Sequence, residues 1–181
     1  MQKYINYKPW EEYPELWKTE AAWWAYLRGS LRRGLWEKSP IKFQYKNNEC
    51  TKPPEGYTGR GKTGSPCALT GDWVNKSNLE VDHINGNIPL LSWEDVVPFI
   101  LHLVPPKGTL QLVSKEAHKI KSYAERKGIS FEEAKTEKRV IELTKKPVKD
   151  IQKILDKHNL PSNNAKVRRE NLKKLVEENL I

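Results

Sequence analysis

Along this chain, apolar residues recur mostly at the three-to-four spacing of a helix and alternate with polar ones only in short runs, which predicts a mostly helical α+β protein. Residues 14 to 36 carry the first helical pattern: Leu16, Trp17, Ala21, Trp24, Leu27 and Leu31 recur at that spacing, and Pro14 suits the opening turn. From Asn47 to Pro66 the period disappears in NNECTKPPEGYTGRGKTGSP, which reads as a long loop. Leu79, Val81 and Ile84 mark a short extended run, Asn85-Gly86 is a hairpin-type turn pair, and TLQLV from Thr109 to Val113 alternates as a return strand. Between them SWEDVVPFILHLV reads as a packed, inserted helix, capped by Ser92 with Asp95 three residues on and ended by Pro105-Pro106. Ser114 opens a helix that runs to about Lys127 and stops at Gly128, and Ser130 with Glu133 makes a capping box for another, from Ile129 to Leu143. From Pro147 onward the tail is helix, break and helix: Val148, Ile151, Ile154 and Leu155 line the first, PSNNA interrupts, and KVRRENLKKLVEENL resumes.

Composition adds a partner to this plan. Lys and Arg number 32 against 23 Asp and Glu in 181 residues, a formal charge of +9 with a pI near 9.4. Such a balance points to a polyanion, with nucleic acid ahead of a membrane surface. No run approaches the roughly 20 apolar residues that cross a bilayer, and the start, MQKYINYKPWEEYPE, lacks a signal peptide's apolar core. The expectation is a cytoplasmic protein with no membrane partner. Cys50 and Cys67 are expected as thiols, because a disulfide scaffold uses more cysteines than two. Five of the seven tryptophans fall in the first 36 residues and are expected chiefly as core anchors. Arg28, Arg32 and Arg33 lie on the first helix, where they suit a phosphate backbone and a solvated face equally well. GRGKTG lacks the GxxxxGK[ST] spacing and follows no strand, which excludes a phosphate-binding loop.

The candidate chemistry sits in the strand–strand–helix segment. Hydrolysing a phosphodiester takes a base for water, a cation to stabilise charge on phosphate, and a frame that aligns them. His83 has the side chain for the base, Asp82 beside it suits a hard cation, and His118 lies on the polar face of the following helix with Lys121. Each residue alone is a weak signal; their order, VDHINGN, then TLQLV, then SKEAHKIKS, is what a two-strand, one-helix metal motif requires.

LEVDHINGN followed by GTLQLVSKEAHKIKSYAERKGISFEEA resembles the HNH endonucleases encoded by many bacteriophages, of the ββα-metal finger superfamily, over roughly residues 65 to 135. The resemblance implies His83 as general base, Asp82 and His118 as the ligands of one catalytic Mg²⁺ or Mn²⁺, and Thr109 where the family has an asparagine that orients the base. Many such proteins also hold a structural zinc with two CxxC pairs. The matching spacings here are Cys67-Ala-Leu-Thr70 and Ser114-Lys-Glu-Ala117, and one thiolate of four predicts no structural zinc. Packing from Leu69, Trp73, Leu110 and the inserted helix is expected to take over as the brace. The tail is similar to SAP and related helix-extension-helix modules, which would make Lys166, Arg168 and Arg169 phosphate contacts; a dimerisation hairpin is the bland alternative.

Three segments follow from this reading: an N-terminal helix and basic loop over 1–64, a ββα-metal nuclease core with an inserted helix over 65–143, and a DNA-binding or dimerisation tail over 147–181. The expected function is nicking or homing cleavage of DNA, with Lys119 and Lys121 among the DNA contacts and a homodimer as one route to cutting both strands. The alternatives are a phage branched-DNA resolvase of the endonuclease VII type and a non-catalytic nucleic-acid-binding protein.

Overall fold

The computed structural model of the chain describes residues 6–86 and 88–181. It is an α+β protein, about half helical, with eight helices and two small antiparallel sheets among the described residues. No helix among those residues is long and apolar enough to cross a membrane. The chain divides into two compact units, Met1–Lys115 and Glu116–Ile181.

The first unit opens with α1 (Pro9–Glu12) and α2 (Glu20–Leu31), where one helix was expected from residue 14. Pro14 lies in a turn between them, and α2 begins where the Thr19 side chain accepts the Ala22 N–H, a cap that the apolar period does not register. The helix then widens into a π-helical turn, Arg32–Glu37. Next comes α3 (Pro40–Glu49), whose Ser39-Pro40 start is a readable helix signal. Trp24, Leu90, Phe99 and Leu103 form a buried cluster with Trp10, Trp23, Trp36 and Trp93 packed around it, so these tryptophans are core anchors.

The long loop contains more pairing than its composition suggests. β1 (Gly64–Pro66) pairs antiparallel with β2 (Trp73–Asn75), and Thr51 bridges to Gly64 through both backbone bonds. Three-residue strands are too short for a period to show. A Cβ on Gly64 would lie 2.2 Å from the Val74 carbonyl oxygen, so only glycine permits this approach.

β3 (Leu79–His83) and β4 (Leu110–Ser114) form the second sheet, with Val81 opposite Leu112 and His83 opposite Leu110. Alternation buries Leu79, Val81, Leu110 and Leu112 together against Trp36, Tyr45, Cys50 and Val74. α3 fastens this hairpin: the Tyr45 hydroxyl donates to the Leu110 carbonyl and Lys46 Nζ donates to the Leu79 carbonyl. Asn85-Gly86 does not close a tight hairpin, because the chain makes an excursion through α4 (Val96–Leu103) before returning as β4. Asp95, rather than Ser92, organises the approach to α4, its carboxylate accepting the N–H groups of Leu91 and Ser92 at 2.8 and 3.0 Å.

α5 (Lys115–Lys127) follows β4 directly and ends at Gly128, whose φ of +66° is the left-handed stop that glycine allows. The second unit continues with α6 (Phe131–Thr144), started by the expected Ser130–Glu133 capping box, then α7 (Val148–Asp156) and α8 (Ala165–Glu177). Leu143, Ile151, Leu155, Leu172 and Leu175 make its main core. α6, read from the sequence with the nuclease core, here packs with the tail: Leu143 joins the α7–α8 apolar faces, and Glu137 binds Arg169 and Lys173 of α8.

Candidate active site

Asp82 and His83 are the last two residues of β3, and the tertiary structure surrounds them differently. Neighbours on a strand point to opposite faces. Asp82 faces its cross-strand partner Gln111, whose Nε2 donates to Oδ2 at 3.0 Å. His83 lies between rings. Trp36 from the π-helical turn is 4.2 Å from it, centroid to centroid, at 35°, and His102 from α4 is 3.9 Å away at 28°. Two rings this close and this nearly parallel cannot share one face of an imidazole, so the order of the stack is Trp36, His83, His102.

Both site residues are 9% exposed. Burial lowers the His83 pKa from its usual 6.5 to about 4, helped by the positive charge that His102 and Arg32 can place nearby. A hydrogen bond with the His102 backbone and the Asp82 carboxylate pull the other way without overcoming it. The imidazole is therefore neutral throughout the physiological range.

Thr109 stands just before β4. Its hydroxyl donates to the Pro106 carbonyl at 2.8 Å, and its own carbonyl accepts the Ile84 N–H at 2.9 Å, extending the hairpin ladder past His83. Thr109 thus fixes the end of the strand that carries the imidazole, with its hydroxyl directed at Pro106.

Cys67, Thr70 and Ser114, three of the four positions that match a paired-CxxC spacing, come together. Cys67 is buried in a tight turn whose Gly71 has φ +76°, and its Sγ accepts the Ser114 N–H at 3.3 Å. Burial alone would raise the thiol's pKa. Hydrogen bonds from the Thr70 side chain and the N–H groups of Ser114, Leu69 and Thr70 outweigh it, and the pKa is lowered. The Ala68 N–H also donates to the Leu112 carbonyl at 2.8 Å, so this turn is stitched to β4 by backbone and sulfur together.

No family model, curated protein or solved structure matches the chain.

Among the described residues no group of three or more His, Cys, Asp or Glu side chains is disposed to hold a metal ion. The Asp82 carboxylate is an oxygen ligand of the kind that Mg²⁺ or Mn²⁺ takes, with water and phosphate oxygens completing the shell. His118 is a partly buried residue of α5, in the second unit.

The basic residues proposed for DNA fall into two groups. Arg28 donates to the Leu90 carbonyl at 3.1 Å, Arg168 donates to the Ser162 carbonyl at 2.9 Å, Arg169 binds Glu137 at 2.8 Å and Lys121 pairs with Glu125 at 3.4 Å. These four brace the fold. Arg32, Arg33, Lys119 and Lys166 are exposed, as is Arg169, and Lys166 pairs with Glu170 at 4.0 Å. Arg32 also lies over the Phe99 ring at 5.8 Å.

Sequence reasoning missed Trp36, Gln111 and His102 as site residues. His102 left a signal, as the one ionisable side chain in the apolar run VVPFILHL. Gln111 is visible only once the register pairs it with Asp82. Trp36 left no signal that separates it from the other core tryptophans.

Proposed function

We propose that this protein is a metal-dependent DNA endonuclease of the HNH kind. The observation that carries the reading is a continuous order of elements: β3 ends on Asp82-His83 and pairs antiparallel with β4, and β4 runs without a break into α5, which bears His118. The turn at Cys67 and Thr70, hydrogen-bonded to Ser114 at the start of that helix, lends further support, since a zinc-braced finger ties its chain at the same points.

In this reading neutral His83 takes the proton from the water that attacks phosphorus. Asp82, oriented by Gln111, would be the first unit's ligand for one Mg²⁺ or Mn²⁺, and the order of the motif along the chain implies His118 as the other. Bound there, the cation would stabilise the charge that builds on phosphate and leaving oxygen. Arg32, Arg33, Lys119 and Lys166 supply exposed cations for the DNA backbone.

Incubation with supercoiled plasmid and Mg²⁺ or Mn²⁺ tests the proposal. Wild type should convert the plasmid to nicked circles, and His83→Ala should slow conversion by roughly a hundredfold to ten-thousandfold. His118→Ala should weaken the response to metal concentration. Equal nicking by all three proteins, or DNA binding with no nicking by any, sinks the nuclease reading.

A further inference from the structure

Three elements that are remote in sequence converge on one imidazole. Trp36 comes from the π-helical turn after α2, His83 from the end of β3, and His102 from the last turn of α4. Regular α-helix gives way to wider π-helix just where Trp36 must reach the strand, and such turns cluster at functional sites because they displace one side chain at the expense of helix regularity. Trp36 packs with both the tryptophan-rich cluster and the β3–β4 cluster, so its indole is held from two sides. Phe99 and Leu103, one on either side of His102 in α4, are fully buried, which fixes the helix that presents it.

From this geometry we infer that Trp36 and His102 are positioning residues: the tilted indole and the stacked imidazole clamp the His83 ring from its two faces and hold it in a single orientation for proton transfer. The inference rests on the nuclease reading for its chemistry but not for its geometry. An imidazole on a β-strand turns about two side-chain bonds, and a base must aim one nitrogen at water within hydrogen-bond reach. Rings on both faces block rotation out of their common plane and leave the nitrogens on the ring edge, outside the stack, where a hydrogen bond with the His102 backbone is made and Nε2 is buried. The inserted α4 therefore serves the site directly, as one jaw of the clamp.

The test pairs nicking kinetics on supercoiled plasmid with NMR of the imidazole C–H protons, His83 being assigned by its loss in His83→Ala. In wild type the His83 protons should be displaced upfield by the two neighbouring rings. His102→Ala and Trp36→Ala should move them back, and should lower kcat about tenfold to a hundredfold with KM little changed, as expected for a misaimed group. His102→Phe keeps a flat ring in place and should restore both the upfield position and most of the lost rate. Amide spectra show whether each variant is folded; should Trp36→Ala unfold, Trp36→Phe with His102→Ala and His102→Phe still decides. His83 protons that stay in place when His102 is truncated would overturn the clamp. So would a His102→Phe as slow as His102→Ala, which would assign the His102 imidazole to chemistry rather than to stacking. If wild type fails to nick, the nuclease reading falls, and the NMR series alone judges the clamp.

Discussion

The two units of this protein are built on opposite principles. In Glu116–Ile181 each helix carries its own instructions: the Ser130–Glu133 box starts α6, Asn164 caps α8, Gly128 stops α5, and the buried leucines recur at helical spacing. In Met1–Lys115 the decisive contacts join distant positions, such as Arg28 with Leu90, Tyr45 with Leu110 and Trp36 with His83. All seven tryptophans belong to this unit. A unit of local signals specifies secondary structure. A unit of long-range contacts can gather unlike side chains around one atom, and the candidate base lies in the second kind.

That contrast can be probed in order of expected effect. Truncating Phe99, fully buried in the aromatic cluster, should cost the first unit about 3–5 kcal/mol, and Leu155→Ala should cost the second about 2–5 kcal/mol. Tryptophan fluorescence reads the first loss, because every tryptophan is there, and helical circular dichroism reads the second. A Phe99→Ala protein whose fluorescence transition does not move would refute the account of that core.

Acid should act on the first unit through His83. Its folded pKa of about 4 lies below the ordinary 6.5, so between these values the unfolded chain binds a proton that the folded site refuses. Stability contributed by neutral His83 is complete above about pH 6.5 and is lost as pH falls toward 4, by up to roughly 3 kcal/mol. The charges acting on the ring are those of His102 from α4, Arg32 from the π-helical turn and Asp82 from its own strand. His83→Phe should flatten the acid limb of the fluorescence-detected stability; an unchanged limb would remove His83 as its source.

The smallest effect belongs to the second unit. Ser130→Ala removes the hydroxyl half of the α6 capping box, leaving the Ser130 N–H on the Glu133 carboxylate, and should cost about 1 kcal/mol, read by chemical denaturation followed at helical wavelengths. A loss several times larger would show that α6 depends on its cap more than a helix packed against α8 should.

Much of the candidate site is legible in the sequence alone. Asp82-His83 at a strand end, TLQLV as the return strand and His118 on the next helix all follow from alternation and helical period, and all three elements form. The split of the first helix at Thr19 and the pairing of Gly64–Pro66 with Trp73–Asn75 were hidden, because a cap overrode the apolar period and three-residue strands have none. The basic residues were legible as charges but not as contacts: five of the eight proposed for DNA are tied to carbonyls or carboxylates, a distinction that only neighbours can make.

By itself, then, the sequence determined the helices of the second unit, the identity of the β3–β4 strands and the pair Asp82-His83, since these depend on residues within a few positions of one another. Only the tertiary structure decided that Gln111 would hold the carboxylate, that Cys67 and Thr70 would close on Ser114, and that Trp36 and His102 would enclose the imidazole. Those arrangements depend on where separate elements meet, and no local period records it.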